Sequence, residues 1–429
     1  MTPPLHLRPR PRYLEEALRF RDTDLVKVVT GIRRCGKSSL LELVRNQIEA
    51  KSARPLTCVS ANLEARGLGV RTDDDLYEFM RAHANPAAKT YFFLDEVQRV
   101  AGWHDVVNSM RVECDCDIYL TGSNAQLLSG ELATYLSGRF VEVKMLPLSF
   151  SEYLEFCGVP FAAGKTVALD KDGEPVLFDD VFLRYLRYGG MPAIASFATT
   201  QEGHAQYMDG VFNTVVVRDV MGRGQGRGRS GEASVSDPDL LRIVSEYFAD
   251  TVGRQCSVKK MADAINAGGR TVNHRTLGSY MRALEAAYVL YPCKRFDIHG
   301  RAILKTMPKY YLVDTGMRQY LTGYRGSDTG FVFENAVYLE LLYEGWQVSV
   351  GKLYQSEVDF VATRGDRTVY VQVSDEMGAE TTRERELAPL RAIRDSHEKM
   401  VVVRRGDTET LADGIRIVRA RDFFLGEWR

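Results

Sequence analysis

The octet at residues 31–38, Gly-Ile-Arg-Arg-Cys-Gly-Lys-Ser, constrains what this chain can fold into more than any other feature. It fits the pattern G-x-x-x-x-G-K-[ST], in which glycines let backbone N–H groups turn toward an anion. An apolar, β-branched stretch precedes it at 25–30, and a stretch with helical spacing follows at 39–45. A strand, a glycine-containing loop and a helix form the context that a phosphate loop requires. The sequence therefore predicts an α/β core that binds nucleotide phosphates, although the same octet also occurs by chance in ordinary strand-to-helix turns.

Two carboxylates at the end of a second apolar stretch complete the predicted nucleotide site. Residues 90–94 are Thr-Tyr-Phe-Phe-Leu, and they lead directly into Asp95 and Glu96. We expect Asp95 and Ser38 to hold Mg²⁺ and Glu96 to orient and deprotonate the attacking water. The alternative is a pair of solvated acids at a strand end. The predicted contacts to ATP, the expected nucleotide, lie in the loop and the first turn of its helix: Gly31, Arg34, Cys35, Gly36, Lys37, Ser38 and Ser39.

Eight segments, taken in order, resemble a widespread bacterial and archaeal family of AAA-type P-loop ATPases that end in a nuclease-like domain of unknown function. The segments cover nearly the whole chain and lie at 30–41, 93–100, 120–124, 136–139, 147–152, 188–192, 333–337 and 357–362. The phosphate-loop pattern is shared by many families, whereas the ordered set is specific. The resemblance implies an AAA+-like ATPase core.

The resemblance also suggests two further catalytic residues. The strand at 117–121 ends in Gly-Ser-Asn, and in AAA+ ATPases this position senses the γ-phosphate. Ser123 or Asn124 would do so, and we favour Asn124 for its two-sided amide; an ordinary turn is the alternative. Arg139 would contact a phosphate in a neighbouring subunit, which implies a homo-oligomer such as a ring. A surface arginine paired with an acid is the competing interpretation of Arg139.

The middle of the chain predicts a lid, a linker and a winged helix. A hairpin with its turn at Asp172-Gly173 and a helix at 181–188 belong to the region that resembles a helical lid. Residues 221–231 alternate glycine with arginine and predict a mobile linker, with or without contact to a phosphate backbone. Three helices then follow, capped at Ser257 and Asn273 in the second and third, and two strands follow the helices.

In a winged helix the third helix enters the major groove of DNA. We expect DNA contacts from Lys259, Lys260, His274, Arg275 and Arg282. Ser279, Lys294, Arg295 and Arg301 are expected to lie beside them on the same surface. Their spacing suits phosphate contact more than base reading. A winged helix can also serve as a rigid lid or as a protein-interaction module.

The C-terminal part resembles the PD-(D/E)XK nuclease superfamily in its order of helix, strand and strand. In that superfamily a helix acid, a strand aspartate and a following Glu-x-Lys hold Mg²⁺ and activate water. Glu334 and Asp359 match the first two positions, but the third reads Gln372-Val-Ser374. One metal ligand and the lysine are absent from the motif, so we expect a degenerate site and no efficient cleavage. DNA binding or bracing of the assembly is the expected role.

Composition sets outer limits on these interpretations. The 429 residues carry a net charge of −1, so any contact with nucleic acid must come from local basic patches. Seven scattered cysteines, the lack of an apolar leader and the lack of a run of about 18 apolar residues predict a reduced cytoplasmic protein without a membrane span. The expected parts are an ATPase core at 1–150, a lid and linker at 151–235, a winged helix at 236–325 and a restriction-endonuclease-like domain at 326–429.

These parts together predict an ATPase that acts on DNA, including branched or repair and recombination structures. One rival is a nucleotide-gated switch that binds a protein partner. Another is an active ATP-dependent nuclease.

Overall fold

The computed structural model describes residues 7–123, 136, 138–161, 164–170, 172–196, 200–214, 218–221, 235–304, 307–323, 329–354, 356–406 and 411–429. The chain forms two compact units. The first comprises Met1–Met145 with Ala286–Tyr288, and the second comprises Leu146–Glu285 with Val289–Arg429. Within the described ranges, no helix is both long enough and apolar enough to cross a membrane.

The first unit is built on a parallel sheet. Over the described residues its strands lie in the order β2-β3-β4-β1-β5. The strands are β1 (Val26–Thr30), β2 (Leu56–Asn62), β3 (Lys89–Asp95), β4 (Cys116–Gly122) and β5 (Phe140–Lys144). The helices are α1 (Pro11–Leu18), α2 (Lys37–Lys51), α3 (Asp73–His83) and α4 (Trp103–Glu113).

Burial on both faces explains why the three central strands are apolar nearly throughout. β1 is buried at every residue, and β3 and β4 are buried at all but their first. The exception in β1 is Lys27, whose ammonium group is fully buried and pairs with the carboxylate of Asp117 on the adjacent β4. The strands predicted at 25–30, 90–95 and 117–121 are confirmed, and their carboxyl ends meet at one edge of the sheet.

The second unit begins with short helices and a hairpin. They are α5 (Phe150–Cys157), β6 (Val167–Leu169), β7 (Pro175–Leu177), α6 (Phe178–Tyr188), α7 (Gln201–Phe212), α8 (Arg218–Met221), α9 (Pro238–Asp250), α10 (Val258–Ala267) and α11 (His274–Ala286). The predicted hairpin, the helix that ends at Gly189 and the N-caps Ser257 and Asn273 are confirmed. Of the predicted glycine- and arginine-rich linker at 221–231, residues 222–231 lie outside the described residues.

A large mixed sheet forms the rest of the second unit. Its strands, over the described residues, follow the order β10-β9-β12-β13-β14-β15-β17-β16, while β8 and β11 pair separately and antiparallel. The strands are β8 (Leu290–Cys293), β9 (Arg295–Asp297), β10 (Ala302–Ile303), β11 (Lys309–Leu312), β12 (Gln347–Lys352), β13 (Glu357–Arg364), β14 (Arg367–Glu376), β15 (Glu398–Arg405), β16 (Leu411–Ala412) and β17 (Ile415–Arg419). The helices are α12 (Thr315–Thr322), α13 (Thr329–Tyr343), α14 (Glu380–Arg391) and α15 (Ala420–Phe424). β9 belongs to the part predicted at 236–325, and β12 belongs to the part predicted at 326–429. Because these two strands pair, one sheet contains strands from both parts.

Two of the family-like segments have a structural explanation in this unit. Ser149 and Glu152 form a capping box at the start of α5. The Leu148 N–H donates to the Gly190 carbonyl at 2.7 Å, and a Cβ at Gly190 would lie 2.3 Å from the Leu148 carbonyl oxygen. The Gly190 N–H donates in turn to the buried carboxylate of Asp314 at 2.8 Å. Only glycine fits this close approach, so the segments at 147–152 and 188–192 act in packing.

Candidate functional site

The phosphate loop has the backbone that its sequence predicts. It connects the carboxyl end of β1 to α2, whose N-cap is Gly36 in the left-handed region. Gly31 has φ +139°, and a Cβ there would lie 2.1 Å from the Met145 carbonyl oxygen. The Lys37 Nζ donates to the carbonyls of Gly31 and Ile32, at 3.0 Å each. The Lys37 side chain therefore folds back onto the start of the loop, and the loop leads directly into the N-terminus of α2.

Side chains from outside the motif hold the loop in place. Arg10, immediately before α1, is only 3% exposed and donates from Nη1 to the Cys35 carbonyl at 3.0 Å. The Cys35 side chain is fully buried and its thiol faces the Met145 carbonyl at 3.7 Å. Cys35 can therefore contact a ligand only through its backbone. Arg34 and Ser39 are exposed, so their side chains can contact a ligand directly. Sequence reasoning missed Arg10, because no motif marks an arginine 21 residues before the loop.

Asp95 is the centre of the predicted metal site. Its Oδ2 accepts from the Ser38 hydroxyl at 2.8 Å and from the Asn62 amide at 3.0 Å, and its Oδ1 accepts from the Thr121 hydroxyl. A cavity of about 200 Å³ lies beside Ser38, Asn62 and Asp95. Hydroxyl and carboxylate oxygens are the donors that Mg²⁺ prefers, so the side chains of Ser38 and Asp95 have the chemistry to hold this ion.

Glu96 lies next to this cluster in an unusual backbone conformation. Its φ of +57° is left-handed, which costs a non-glycine residue about 1–2 kcal/mol. Its N–H donates to the Thr121 hydroxyl at 2.9 Å, and its carboxylate accepts from the Gln98 amide and faces the Arg33 guanidinium at 3.8 Å. Strain of this kind is retained where surrounding contacts fix a functional side chain. The Glu96 carboxylate is thus held in place by Gln98 and Arg33.

The two other predicted catalytic residues have different outcomes. Asn124 lies outside the described residues; Ser123, the alternative, is buried, and its hydroxyl accepts from the Gln98 amide at 3.3 Å. Arg139 directly precedes β5, at the amino edge of the parallel sheet, and its Nε is 3.9 Å from Asp24. The phosphate loop follows the carboxyl end of β1, a five-residue strand that spans roughly 16 Å. Arg139 therefore lies at the opposite edge of the sheet from the loop of its own chain.

All five predicted DNA-contacting residues are exposed. Lys259 and Lys260 lie in the first turn of α10, His274 and Arg275 begin α11, and Arg282 lies two turns further along. Two neighbours expected on this surface are not on it. Ser279 is 6% exposed, because its hydroxyl faces the Arg275 carbonyl within α11, and Arg295 is 8% exposed and pairs with Glu357.

The three residues of the predicted nuclease-like site do come together in the second unit. The Val373 N–H donates to Asp359 Oδ2 at 2.9 Å, and the Gln372 side-chain oxygen accepts the Asp359 N–H at 3.3 Å. Glu334, on α13, accepts from the Tyr311 hydroxyl at 2.6 Å. Antiparallel pairing of β13 with β14 and packing of α13 against both strands produce this arrangement.

A lysine that sequence reasoning missed lies among these acids. Lys309, at the start of β11, is 8% exposed, and its Nζ is 3.6 Å from Glu334, 3.9 Å from Glu357 and 4.0 Å from Asp359. Burial opposes its charge, but these three carboxylates outweigh burial and raise the pKa of Lys309. Burial and the nearby Glu334 raise the pKa of Asp359 to about 8. A strand outside the predicted motif therefore brings an ammonium group to these acids.

Comparisons with known proteins find family models that match two parts of this chain. A family model described as an AAA domain matches residues 23–154, and one described as a domain of unknown function matches residues 179–328. An uncharacterised protein of Methanocaldococcus jannaschii is 26% identical over 378 residues, which are 86% of this chain and 79% of that protein. The solved Walker-type ATPase of Pyrococcus abyssi aligns at 15% identity with a TM-score of 0.44, over 72% of this chain and 93% of that one.

The family of this chain follows from a relative that aligns along nearly the whole length of both proteins. An uncharacterised protein of Haemophilus influenzae is 34% identical over 418 residues, which are 97% of this chain and 98% of that protein. The AAA-domain match contains the phosphate loop, Asp95 and Glu96. The chain therefore belongs, with the Haemophilus influenzae protein, to a family of AAA-type P-loop ATPases.

Proposed function

We propose that this protein hydrolyses Mg–ATP in its first unit and uses the resulting conformational change to act on DNA. The observation that carries the first part is the convergence of Ser38, Asn62 and Thr121 on Asp95, beside a strained Glu96. In this account Lys37 leaves its carbonyl partners for the β- and γ-phosphates, and bound Mg²⁺ supplies positive charge for the γ-phosphate. Glu96 orients water and takes its proton.

The position of Arg139 supports assembly into an oligomer. An arginine at the sheet edge opposite the phosphate loop is suited to the nucleotide of a neighbouring copy rather than to its own. We therefore propose that Arg139 acts as an arginine finger between subunits of a homo-oligomer. Its exposed guanidinium would leave Asp24 and contact the γ-phosphate bound by the neighbouring subunit. In the isolated chain the pair with Asp24 is an exposed ion pair of small energetic value.

The basic surface on α10 and α11 supports the DNA part of the proposal. Among the described residues, no salt bridge joins Lys259, Lys260 or Arg275 to an acid, so their charges are available to phosphates. α11 begins with His274 and Arg275, and the partial positive charge at a helix N-terminus favours a nearby anion such as a phosphate. The preceding helices and the following β8–β11 pair give this segment the element order of a winged helix.

DNA should increase the rate of ATP turnover if the proposal is correct. We suggest measuring this rate against single-stranded, duplex and four-way DNA, for the wild type and for a Lys260→Ala/Arg275→Ala variant. Arg282 is left in place because its Nη2 donates to Ser279 at 3.1 Å. The double variant should lose the stimulation and lower the salt dependence of DNA binding by roughly two counterions. Arg394→Ala, on the exposed surface of the second unit, is the matched control.

Indifference of ATP turnover to all three DNA forms would contradict the DNA proposal. That result would favour the rival function, a nucleotide-gated switch with a protein partner. In the rival account the segment around α11 serves as a regulatory lid.

Lys309 supports a second candidate function, hydrolysis of phosphodiester bonds in the second unit. Glu334 and Asp359 offer carboxylate oxygens, and Lys309 offers the ammonium group that a phosphate at this point would meet. A bound Mg²⁺ would supply Lewis acidity there. The sequence alone favours an inactive site, because it places no lysine in the motif.

Nicking of supercoiled plasmid in Mg²⁺ or Mn²⁺ tests this second function. The wild type should nick, and both Asp359→Asn and Lys309→Met should reduce the rate at least roughly tenfold, the effect of losing about 1.4 kcal/mol of stabilisation in the transition state. Arg394→Met, at an exposed position elsewhere in the second unit, should nick normally. Because unpairing buried acids can destabilise the fold, circular dichroism of each variant accompanies the assay. No nicking by the wild type at any concentration of either metal would eliminate this candidate.

A further inference from the structure

A cavity in the second unit shares no lining residue with the nucleotide site or with the Lys309 cluster. It has a volume of about 360 Å³, within the range of sites for small organic ligands. It lies where β15 and β17 end, since Arg405 and Arg419 are the last residues of these strands and both line it. β14, β15 and β17 are parallel neighbours, and ligands of α/β sheets bind outside the carboxyl ends of parallel strands.

Two arginines give this cavity its charge. In the register of β15 and β17, Val403 pairs with Arg419, so Arg405 lies two residues beyond that pair on the same face of the sheet. Both arginines are exposed, and within the described residues neither has a hydrogen bond or salt bridge to an acid. The neighbouring arginines differ, because Arg404 pairs with Asp375 through two nitrogens and Arg421 pairs with Asp422.

The lining of the cavity also includes apolar side chains and a carboxylate. Leu177, at the end of β7, leaves 52% of its surface exposed, and Phe178 starts α6 beside it. The exposed carboxylate of Asp179 also lines the cavity. A ligand that matches these features has an anionic group at one end, an apolar body and a hydrogen-bond donor that Asp179 can accept.

We propose that this cavity binds a nucleoside phosphate, either as a free mononucleotide or as one nucleotide of a single strand. Guanidinium groups bind phosphate oxygens through paired N–H donors, which fits the phosphate to Arg405 and Arg419. The flat, apolar base packs on Leu177, and a sugar hydroxyl or base amine donates to Asp179. A bare phosphate would leave most of the volume and the apolar side chains unused.

Equilibrium dialysis with radiolabelled AMP tests the proposal. The measurements use the full chain carrying Lys37→Ala, so that the first unit contributes little nucleotide binding. AMP should bind saturably, and adenosine and inorganic phosphate should each compete at least roughly tenfold less well. Adding Arg405→Gln/Arg419→Gln should weaken AMP binding roughly ten- to a hundredfold, as expected for lost hydrogen bonds to a charged group. Adding Arg394→Gln, an exposed arginine elsewhere in the same unit, should not.

A ten-nucleotide thymidine strand distinguishes the two sources of the ligand. Tighter binding of this strand than of AMP, with the same loss in the Arg405→Gln/Arg419→Gln variant, would assign the cavity to single-stranded nucleic acid. Binding of AMP alone would assign it to a free nucleotide. The proposal is overturned if neither probe binds, or if both bind equally well with and without the two arginines while all variants show the same thermal unfolding.

Discussion

Replacing Glu96 with glutamine should reduce ATP turnover by a factor of about 10²–10⁴ while leaving Mg–ATP binding intact. Glutamine keeps the size and the left-handed backbone of residue 96, but its amide cannot take a proton from water. The contact to Gln98 and the N–H bond to Thr121 constrain the position of the side chain. The variant should therefore still bind the attacking water in the same position, but it should no longer deprotonate it. Binding should persist because Asp95, Ser38 and the loop are unchanged.

The Glu96→Gln prediction is checked by single-turnover hydrolysis alongside binding of a fluorescent ATP analogue. Glu49→Gln is the matched control, since Glu49 is an exposed acid on α2 that pairs only with Arg45 among the described ion pairs. The control should hydrolyse ATP at the wild-type rate. A normal rate in Glu96→Gln would show that another group deprotonates the water and that the strain at residue 96 serves a different purpose.

Replacing Gly31 with alanine should abolish nucleotide binding and lower the stability of the first unit. A residue with a Cβ pays about 1–3 kcal/mol for so unusual a backbone conformation, and here the Cβ would also lie 2.1 Å from the Met145 carbonyl oxygen. The loop can relieve this clash only by moving away from the end of β5. Its N–H groups would then no longer converge, and the carbonyl that Lys37 contacts would move with them.

Thermal unfolding and Mg–ATP binding of Gly31→Ala should therefore change together. Gly67→Ala is the matched control, because a Cβ at Gly67 meets no atom within 4 Å and its φ is not positive. Wild-type affinity in Gly31→Ala would mean that the observed loop backbone is not the one that binds phosphate.

The core of the nucleotide site could be predicted because its signals are local. The glycines, Lys37 and Ser38 follow one strand directly, and Asp95 and Glu96 follow another, so no knowledge of strand order was needed. Asn62 and Thr121 were missed as partners of Asp95 because they depend on that order. β2 and β4 flank β3, and the register sets Asn62 opposite Asp95, a pairing that no spacing along the chain reveals.

The same reasoning explains the errors in the second unit. Lys309 is 50 residues before Asp359 and belongs to a strand that pairs with β8, so a search within the nuclease motif could not find it. Arg295 was expected on a DNA-facing surface, but β9 joins the large sheet and directs this side chain to Glu357. Ser279 has the spacing of an outward position, yet it lies on the buried side of α11. Lys309 and Arg295 have acidic partners far away in the sequence, whereas the burial of Ser279 depends on which side of α11 packs against the rest of the unit.

Calorimetric titration of the purified protein with Mg–ATP tests the central claim most directly. The account predicts saturable binding at one site per chain in the Arg405→Gln/Arg419→Gln background, loss of that binding in Lys37→Ala, and no binding when Mg–ATP is replaced by adenosine. The claim would be contradicted if Mg–ATP gave no heat of binding to protein with an unaltered phosphate loop. Equal affinity for Mg–ATP with and without Lys37 would contradict it as well.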